Sequence, residues 1–326
     1  MTAETTLDTM TLSIDGRQVS ASAGQTVLEA ALAAGIDVPR LCFDPRLKPV
    51  GACRLCIVEV EGLPGLPTAC TTQVAEGMAV RTETDELAAT RKSVLELILA
   101  DHRVSCPTCD KNGDCALMDY AYRYEADQFA FGAYRPEPPA PNFSTGNEAI
   151  AFDPQLCISC GRCVRICDEV VMASALTFSE RGSKATVTTP FEMPLNETSC
   201  VLCGMCISTC PTGAMSERAA LGKGQHKDLE SVRTVCPYCG VGCVLELNVN
   251  RQTNRVVRVT SPVGCLPNDG NLCVKGKFGF EFVHSPERLT APLIKENGEF
   301  REASWEEALE LTGRRLRELR AEHGPD

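Results

Sequence analysis

The sequence predicts an α+β chain built from small, metal-stapled modules in series, on three observations. Twenty cysteines fall between Cys42 and Cys273 in five groups, most of them spaced C-x2-C. Aromatic residues make up only 5% of the chain, with a single Trp, so one large conventional core does not run through all 326 residues. Short stretches of strand alternation and helical periodicity separate the cysteine groups.

The first module is read over residues 10–88. Leu12, Ile14 and Val19 alternate about Asp15-Gly16, a hairpin-turn pair. Thr26-Val-Leu-Glu-Ala-Ala-Leu-Ala-Ala then reads as a helix, closed by Gly35 and followed by Pro39. Strand–strand–helix with cysteines just after is a β-grasp pattern. Cys42, Cys53, Cys56 and Cys70 follow as C-x10-C-x2-C-x13-C, with a longer first gap than the plant-type 2Fe–2S rule C-x4-C-x2-C…C. Gly51-Ala52 lets the loop wrap a 2Fe–2S unit and aim backbone N–H groups at its sulfurs. A zinc site is the alternative.

Residues 89–131 form the second module. Over residues 85–101 the helical spacing of Leu87, Val94, Leu95, Ile98 and Leu99 makes one apolar stripe. His102, Cys106, Cys109 and Cys115 follow as H-x3-C-x2-C-x5-C, enough to hold a 4Fe–4S cluster with one neutral imidazole in place of a thiolate, which raises its potential. Alone, His102 would read as an interaction with the helix C-terminus; three cysteines lacking a fourth ligand favour ligation. Residues 132–148, with Arg135-Pro-Glu-Pro-Pro-Ala-Pro, read as an extended linker.

Residues 149–216 carry two C-x2-C-x2-C-x3-C runs, the bacterial two-cluster ferredoxin signature, in which each fourth cysteine serves the other cluster. Cys157, Cys160, Cys163 and Cys210 therefore hold one 4Fe–4S cluster, and Cys200, Cys203, Cys206 and Cys167 the other. Pro211 follows Cys210, but Asp168 follows Cys167, which leaves only the local turn in question. Residues 217–232 read as a polar linker. In residues 233–289, Cys236, Cys239 and Cys243 are spaced C-x2-C-x3-C, and two apolar runs around Asn250-Arg-Gln-Thr-Asn read as a hairpin. Cys273 closes this 4Fe–4S group. Cys265 competes for that place on spacing, but five clusters with His102 as one ligand need nineteen cysteines, which leaves one spare. Cys265, in a Gly/Pro-rich loop, is the expected spare.

Composition narrows the function classes. The formal charge is −11, and cluster-bound thiolates take the loaded chain to the order of −20. That argues against a nucleic-acid partner and for protein partners. No apolar run approaches a membrane span. The polar, acidic start has no signal-peptide pattern, so a reducing cytoplasm is expected, where such cysteines favour metal over disulfides.

The module order, ending in Cys236-Pro-Tyr-Cys-Gly-Val-Gly-Cys…Leu-Cys-Val-Lys-Gly-Lys-Phe-Gly-Phe, resembles the N-terminal part of the catalytic subunit of NAD-dependent molybdenum or tungsten formate dehydrogenases. Residues 10 to about 130 are also similar to the large iron–sulfur subunit of respiratory complex I, and residues 10–215 to subunits of NAD-reducing and iron-only hydrogenases. Residues 236–293 separate these, being similar to the β-rich opening of the bis-pterin molybdopterin oxidoreductase domain. The resemblance implies one 2Fe–2S and four 4Fe–4S clusters, a Mo- or W-bis-MGD cofactor in the complete subunit, and a flavin (FMN)- and NAD-binding diaphorase-type partner. It implies that Lys275 lies between the last cluster and a pterin and relays electrons; without it, Lys275 reads as a solvated surface lysine. After Ser304-Trp-Glu-Glu-Ala-Leu a capped amphipathic helix begins, and residues 290–326 are expected to be only the start of the molybdopterin domain. The family's molybdenum ligand would lie beyond, so no catalytic residue is assigned here, and the chain is expected to be a fragment or one part of a split subunit. The rival from another class is a zinc-stapled interaction protein.

Overall fold

A computed structural model describes residues 9–132, 143–144 and 146–325. The polar start and most of the linker read at 132–148 lie outside the described residues. The chain forms two compact units, Met1–Phe278 and Gly279–Asp326.

The first unit opens with β1 (Thr9–Ile14), β2 (Arg17–Ser22) and α1 (Val27–Ala33), then β3 (Glu59–Val60) and β4 (Ala79–Arg81). The hairpin turns at Asp15 and Gly16, both at positive φ, and sets Ile14 opposite Arg17. The sheet order is β2-β1-β4-β3, with β1 parallel to β4 and the other pairs antiparallel. Thr26 caps α1 in a reciprocal capping box with Glu29. The helix buries Val27, Leu28, Ala30 and Ala31 against Leu12, Ile14, Val19 and Val80, which is the expected β-grasp arrangement.

The helix α2 (Asp85–Ala100) carries its buried face at Leu87, Arg91, Leu95 and Leu99. The period is the expected one, but the second rung is an arginine. A short helix, α3 (Ala116–Arg123), packs on α2 through Leu117, and Tyr124 just beyond it joins the same cluster.

Next, β5 (Ile150–Phe152), α4 (Arg162–Arg165), the hairpin β6 (Thr177–Ser179) and β7 (Thr186–Thr188), α5 (Met205–Ser208) and β8 (Met215–Glu217) form one body. Strands β5 and β8 pair antiparallel, with Phe152 opposite Met215. Its two halves repeat the same backbone: Ser159 and Gly161 match Leu202 and Gly204, all at positive φ.

The unit ends with β9 (Leu229–Val235), β10 (Val244–Asn250), β11 (Arg255–Thr260) and α6 (Val274–Phe278). The expected hairpin is the pair β10 and β11, and β9 adds a third strand on the other side of β10. Residues 217–232, read as a linker, are therefore structured: Glu217 ends β8, Ala220 and Leu229 are buried, and β9 begins at Leu229. Polarity misled the reading, because that segment bonds its backbone to the loop before α3. His226 N donates to Asp110 O at 3.1 Å and Lys227 N to Asn112 O at 3.1 Å.

In the second unit, β12 (Leu293–Glu296) and β13 (Glu299–Glu302) form a hairpin before α7 (Trp305–His323), capped by Ser304. Helix α7 buries none of its residues and exposes Trp305, Leu309 and Leu316. The unit begins at Gly279, about ten residues before the boundary expected at 290.

Candidate iron–sulfur sites

All twenty cysteines are free thiols. In the first group, Cys53 N points at Cys42 Sγ and Leu41 N at Cys53 Sγ, each at 3.4 Å. The N–H groups of Gly51 and Ala52 are directed at Cys70 and Cys42. Hydrogen bonding from the Cys53 thiol holds Cys42 down, to about 6, against the upward push of burial. Gly51 sits at φ +63°, and a Cβ there would lie 3.2 Å from Thr68 Oγ1, so glycine eases the closure of the loop on the thiols. Cys42, Cys56 and Cys70 are buried and Cys53 is half-buried.

His102 is buried at the end of α2 and lines a cavity of about 260 Å³ with Cys106 and Cys115. Cys109 is within electrostatic reach of both cysteines. Gln225 Nε2 donates to Pro107 O at 2.7 Å and Cys109 O at 3.1 Å, so residues from the supposed linker brace this loop.

In the two-run module, Cys163 lies among Cys160, Cys210 and Cys157, and Cys206 among Cys203, Cys200 and Cys167. The structure thus brings the members of each expected quartet together, with Cys206 also near the first set and Cys210 near the second. Cys167, Cys200, Cys203 and Cys206 also line one apolar pocket with Phe143, Leu176 and Met205. Ser159 N points at Cys157 Sγ and Leu202 N at Cys200 Sγ, both at 3.4 Å. Burial, then the charge of neighbouring thiols, pushes Cys160 up to about 12. Such crowding of buried sulfurs fits thiolates compensated by cationic iron and does not fit bare thiolates.

Around Cys243 the neighbouring thiols are Cys236, Cys239 and Cys273. Cys236 is buried, whereas Cys239 and Cys273 are exposed. Lys275 is exposed, and Lys277, which sequence reasoning passed over, is buried. The donor chemistry of all five groups fits iron–sulfur clusters: thiols in fours, or three with one imidazole, with backbone N–H groups aimed at sulfur in several of them.

Two buried polar residues tie the first group to its neighbours, and periodicity gave no signal for either. Arg91, fully buried, donates to Leu55 O at 3.1 Å and Ile57 O at 2.7 Å, on either side of Cys56, and to Tyr124 Oη at 3.1 Å. Asp44, two residues after Cys42, accepts from Arg46 Nη2 at 2.8 Å, Arg162 Nη2 at 2.9 Å and Thr209 Oγ1 at 2.8 Å. Burial pushes the Asp44 carboxyl up, but these donors outweigh it and hold the group well below the usual carboxylate range. Arg162 and Thr209 lie inside the two-run cysteine motif, and Arg165 Nη2 also donates to Cys42 O at 2.6 Å. The first cysteine loop is thus bonded directly to the two-run module.

Family models match in the same order as the modules. A 2Fe-2S iron-sulfur cluster binding domain matches residues 8–85, and the NADH-ubiquinone oxidoreductase-G iron-sulfur binding region matches 91–128. A 4Fe-4S dicluster domain matches 156–214, the molybdopterin oxidoreductase Fe4S4 domain 229–285, and the molybdopterin oxidoreductase domain 288–326. The chain carries iron–sulfur domains followed by a molybdopterin oxidoreductase N-terminal region. The iron–sulfur protein is 39% identical over 309 residues to an NADH-quinone oxidoreductase subunit of Rhizobium meliloti, covering 94% of this chain and 35% of that one. It is 34% identical to the alpha chain of the NADPH-Fe(3+) oxidoreductase of Geobacter sulfurreducens, covering 97% and 36%. A formate dehydrogenase-like protein of Bacillus subtilis is 31% identical, covering 95% and 35%. The iron–sulfur protein thus spans about a third of the length of these relatives. Among solved structures, a chain of an NAD+-reducing [NiFe]-hydrogenase in the H2-reduced state is similar at TM-score 0.59 and 31% identity, over 67% of this chain and 91% of that one.

Proposed function

We propose that this chain is the electron-transfer part of an NAD-linked formate dehydrogenase. It joins formate oxidation at a molybdenum or tungsten bis-pterin centre to a flavin- and NAD-binding partner, in the cytoplasm. The observation that carries the reading is the unbroken series of candidate ligand sets ending in a molybdopterin oxidoreductase Fe4S4 domain. The ligands are Cys42, Cys53, Cys56 and Cys70 for 2Fe–2S, and His102, Cys106, Cys109 and Cys115 for 4Fe–4S. Three further 4Fe–4S sets are Cys157, Cys160, Cys163 and Cys210; Cys200, Cys203, Cys206 and Cys167; and Cys236, Cys239, Cys243 and Cys273. Bound clusters would supply one-electron chemistry with little rearrangement. The chain's own part is to hold thiolates, aim N–H groups at them, and lock the cysteine loops together through Arg91, Asp44 and Arg162. Among the described residues no helix is long and apolar enough to cross a membrane.

Iron and acid-labile sulfide analysis with EPR of the anaerobically reduced protein tests the wire: about eighteen irons are expected, from one 2Fe–2S and four 4Fe–4S clusters. A colourless protein with about one zinc per four ligands would favour the zinc-stapled rival. A second reading is an electron-transfer subunit of an NADH-linked oxidoreductase or hydrogenase that acts without formate. The similarity to the NADH-quinone oxidoreductase protein and to the hydrogenase chain favours it. In the full-length complex, formate should reduce the clusters and molybdenum or tungsten should co-purify. Neither should hold under the second reading.

A further inference from the structure

Lys277 has 1% of its surface exposed. An ammonium so far out of water is tolerated only with close partners. Its Nζ lies 2.5 Å from Glu217 Oε1 and donates to Val259 O at 2.6 Å. Glu217, at the end of β8, is itself buried. The lysine stem runs over Gly204, which sits between Cys203 and Cys206 at φ +71°. A Cβ at Gly204 would lie 2.6 Å from Lys277 Cγ and 3.0 Å from Cε, so glycine is what lets the stem pass and brings the ammonium to this loop. Next to Lys277 on α6, a Cβ at Gly276 would meet Cys236 Sγ at 3.6 Å. One helix therefore lies beside both the Cys236 thiol and the Cys203–Cys206 loop.

We propose that Lys277, paired with Glu217, is a positioning residue that docks the Cys236 group on the Cys203–Cys206 loop and sets the potential of the 4Fe–4S cluster held there. The proposal rests on the electron-transfer reading above. A fixed positive charge in a water-poor site favours the reduced, more negative cluster and raises its potential, and a carboxylate does the reverse. Lys277 and Glu217 therefore act on the same centre with opposite sign. A purely structural ion pair would not do this.

The test is an EPR-monitored redox titration of the cluster-loaded full chain and of three variants. Lys277→Met should lower the midpoint of one 4Fe–4S centre, Glu217→Gln should raise that of the same centre, and Lys277→Arg, which keeps the charge, should return it towards wild type. The 2Fe–2S midpoint should stay in place throughout. Unchanged midpoints, or shifts of the same sign in both charge-removing variants, would overturn the proposal. If Lys277→Met does not fold, Glu217→Gln and Lys277→Arg decide it: the first should raise the midpoint of one 4Fe–4S centre while the second leaves that centre near wild type, and an unmoved or lowered midpoint in Glu217→Gln would overturn the proposal. Wild-type protein with fewer than five centres would overturn the electron-transfer reading and this inference with it; five centres with no shift would sink the inference alone.

Discussion

At the scale of single residues, two positions test which groups hold metal. His102 is buried beside Cys106 and Cys115 at the end of α2. Replacing its neutral imidazole by a thiolate adds a negative charge to the cluster. His102→Cys should therefore lower the midpoint of one 4Fe–4S centre in a redox titration, and an unmoved set of potentials would mean that His102 is not a ligand. Cys273 is among the thiols around Cys243, and the ligand count leaves Cys265 as the expected spare. Iron analysis should find Cys265→Ser unchanged and Cys273→Ser short by about four irons. The opposite result would exchange their roles.

Elements are coupled by buried charge as much as by apolar packing. Arg91 replaces a hydrophobe on the buried face of α2 because the cysteine loop beside it exposes two carbonyls, Leu55 O and Ile57 O, with no strand to pair them. Arg91→Met would leave both, and the Tyr124 hydroxyl, without this donor, at about 1 kcal/mol each and about 3 kcal/mol in all. Denaturant unfolding of the loaded protein measures it. Lysine should not rescue, since one ammonium cannot reach both carbonyls in the guanidinium's fixed geometry. Asp44 plays the matching part between the first cysteine loop and the two-run module. Asp44→Ala strands Arg46 and Arg162 and should cost about 3–5 kcal/mol. Limited proteolysis should then release the N-terminal module, and intact resistance would count against the coupling.

Across the whole molecule, the modules differ in how much of their core is made of ligands. The β-grasp core has Leu12, Ile14, Val27, Leu28 and Val58 at its centre and only two of its buried members, Cys56 and Cys70, are candidate ligands. The two-run module is packed around Cys163 and Cys206, with Cys157, Cys200 and Cys210 against them. Metal binding supplies folding free energy where the hydrophobic core is small. Removing iron should abolish amide protection in residues 149–216 and leave β1, β2 and β4 protected, as followed by hydrogen exchange. Uniform loss, or uniform survival, would contradict this difference.

The order of the iron–sulfur modules, the β-grasp pattern and the capped helices were legible in the sequence, because cysteine spacing, turn pairs and capping residues act over a few neighbouring positions. The same holds for the α2 stripe, apart from Arg91, whose partners lie on a loop more than thirty residues earlier in the chain. Polarity hid the order in residues 217–232, whose partners are backbone groups of a distant loop. Which lysine after Cys273 is buried could not be read locally either, since Lys275 and Lys277 differ only in the side of α6 they occupy. Local chemistry thus determined what each module can bind. Only the tertiary structure decided which modules touch and which charges lie between them, because buried ion pairs form between residues that packing, not sequence distance, brings together.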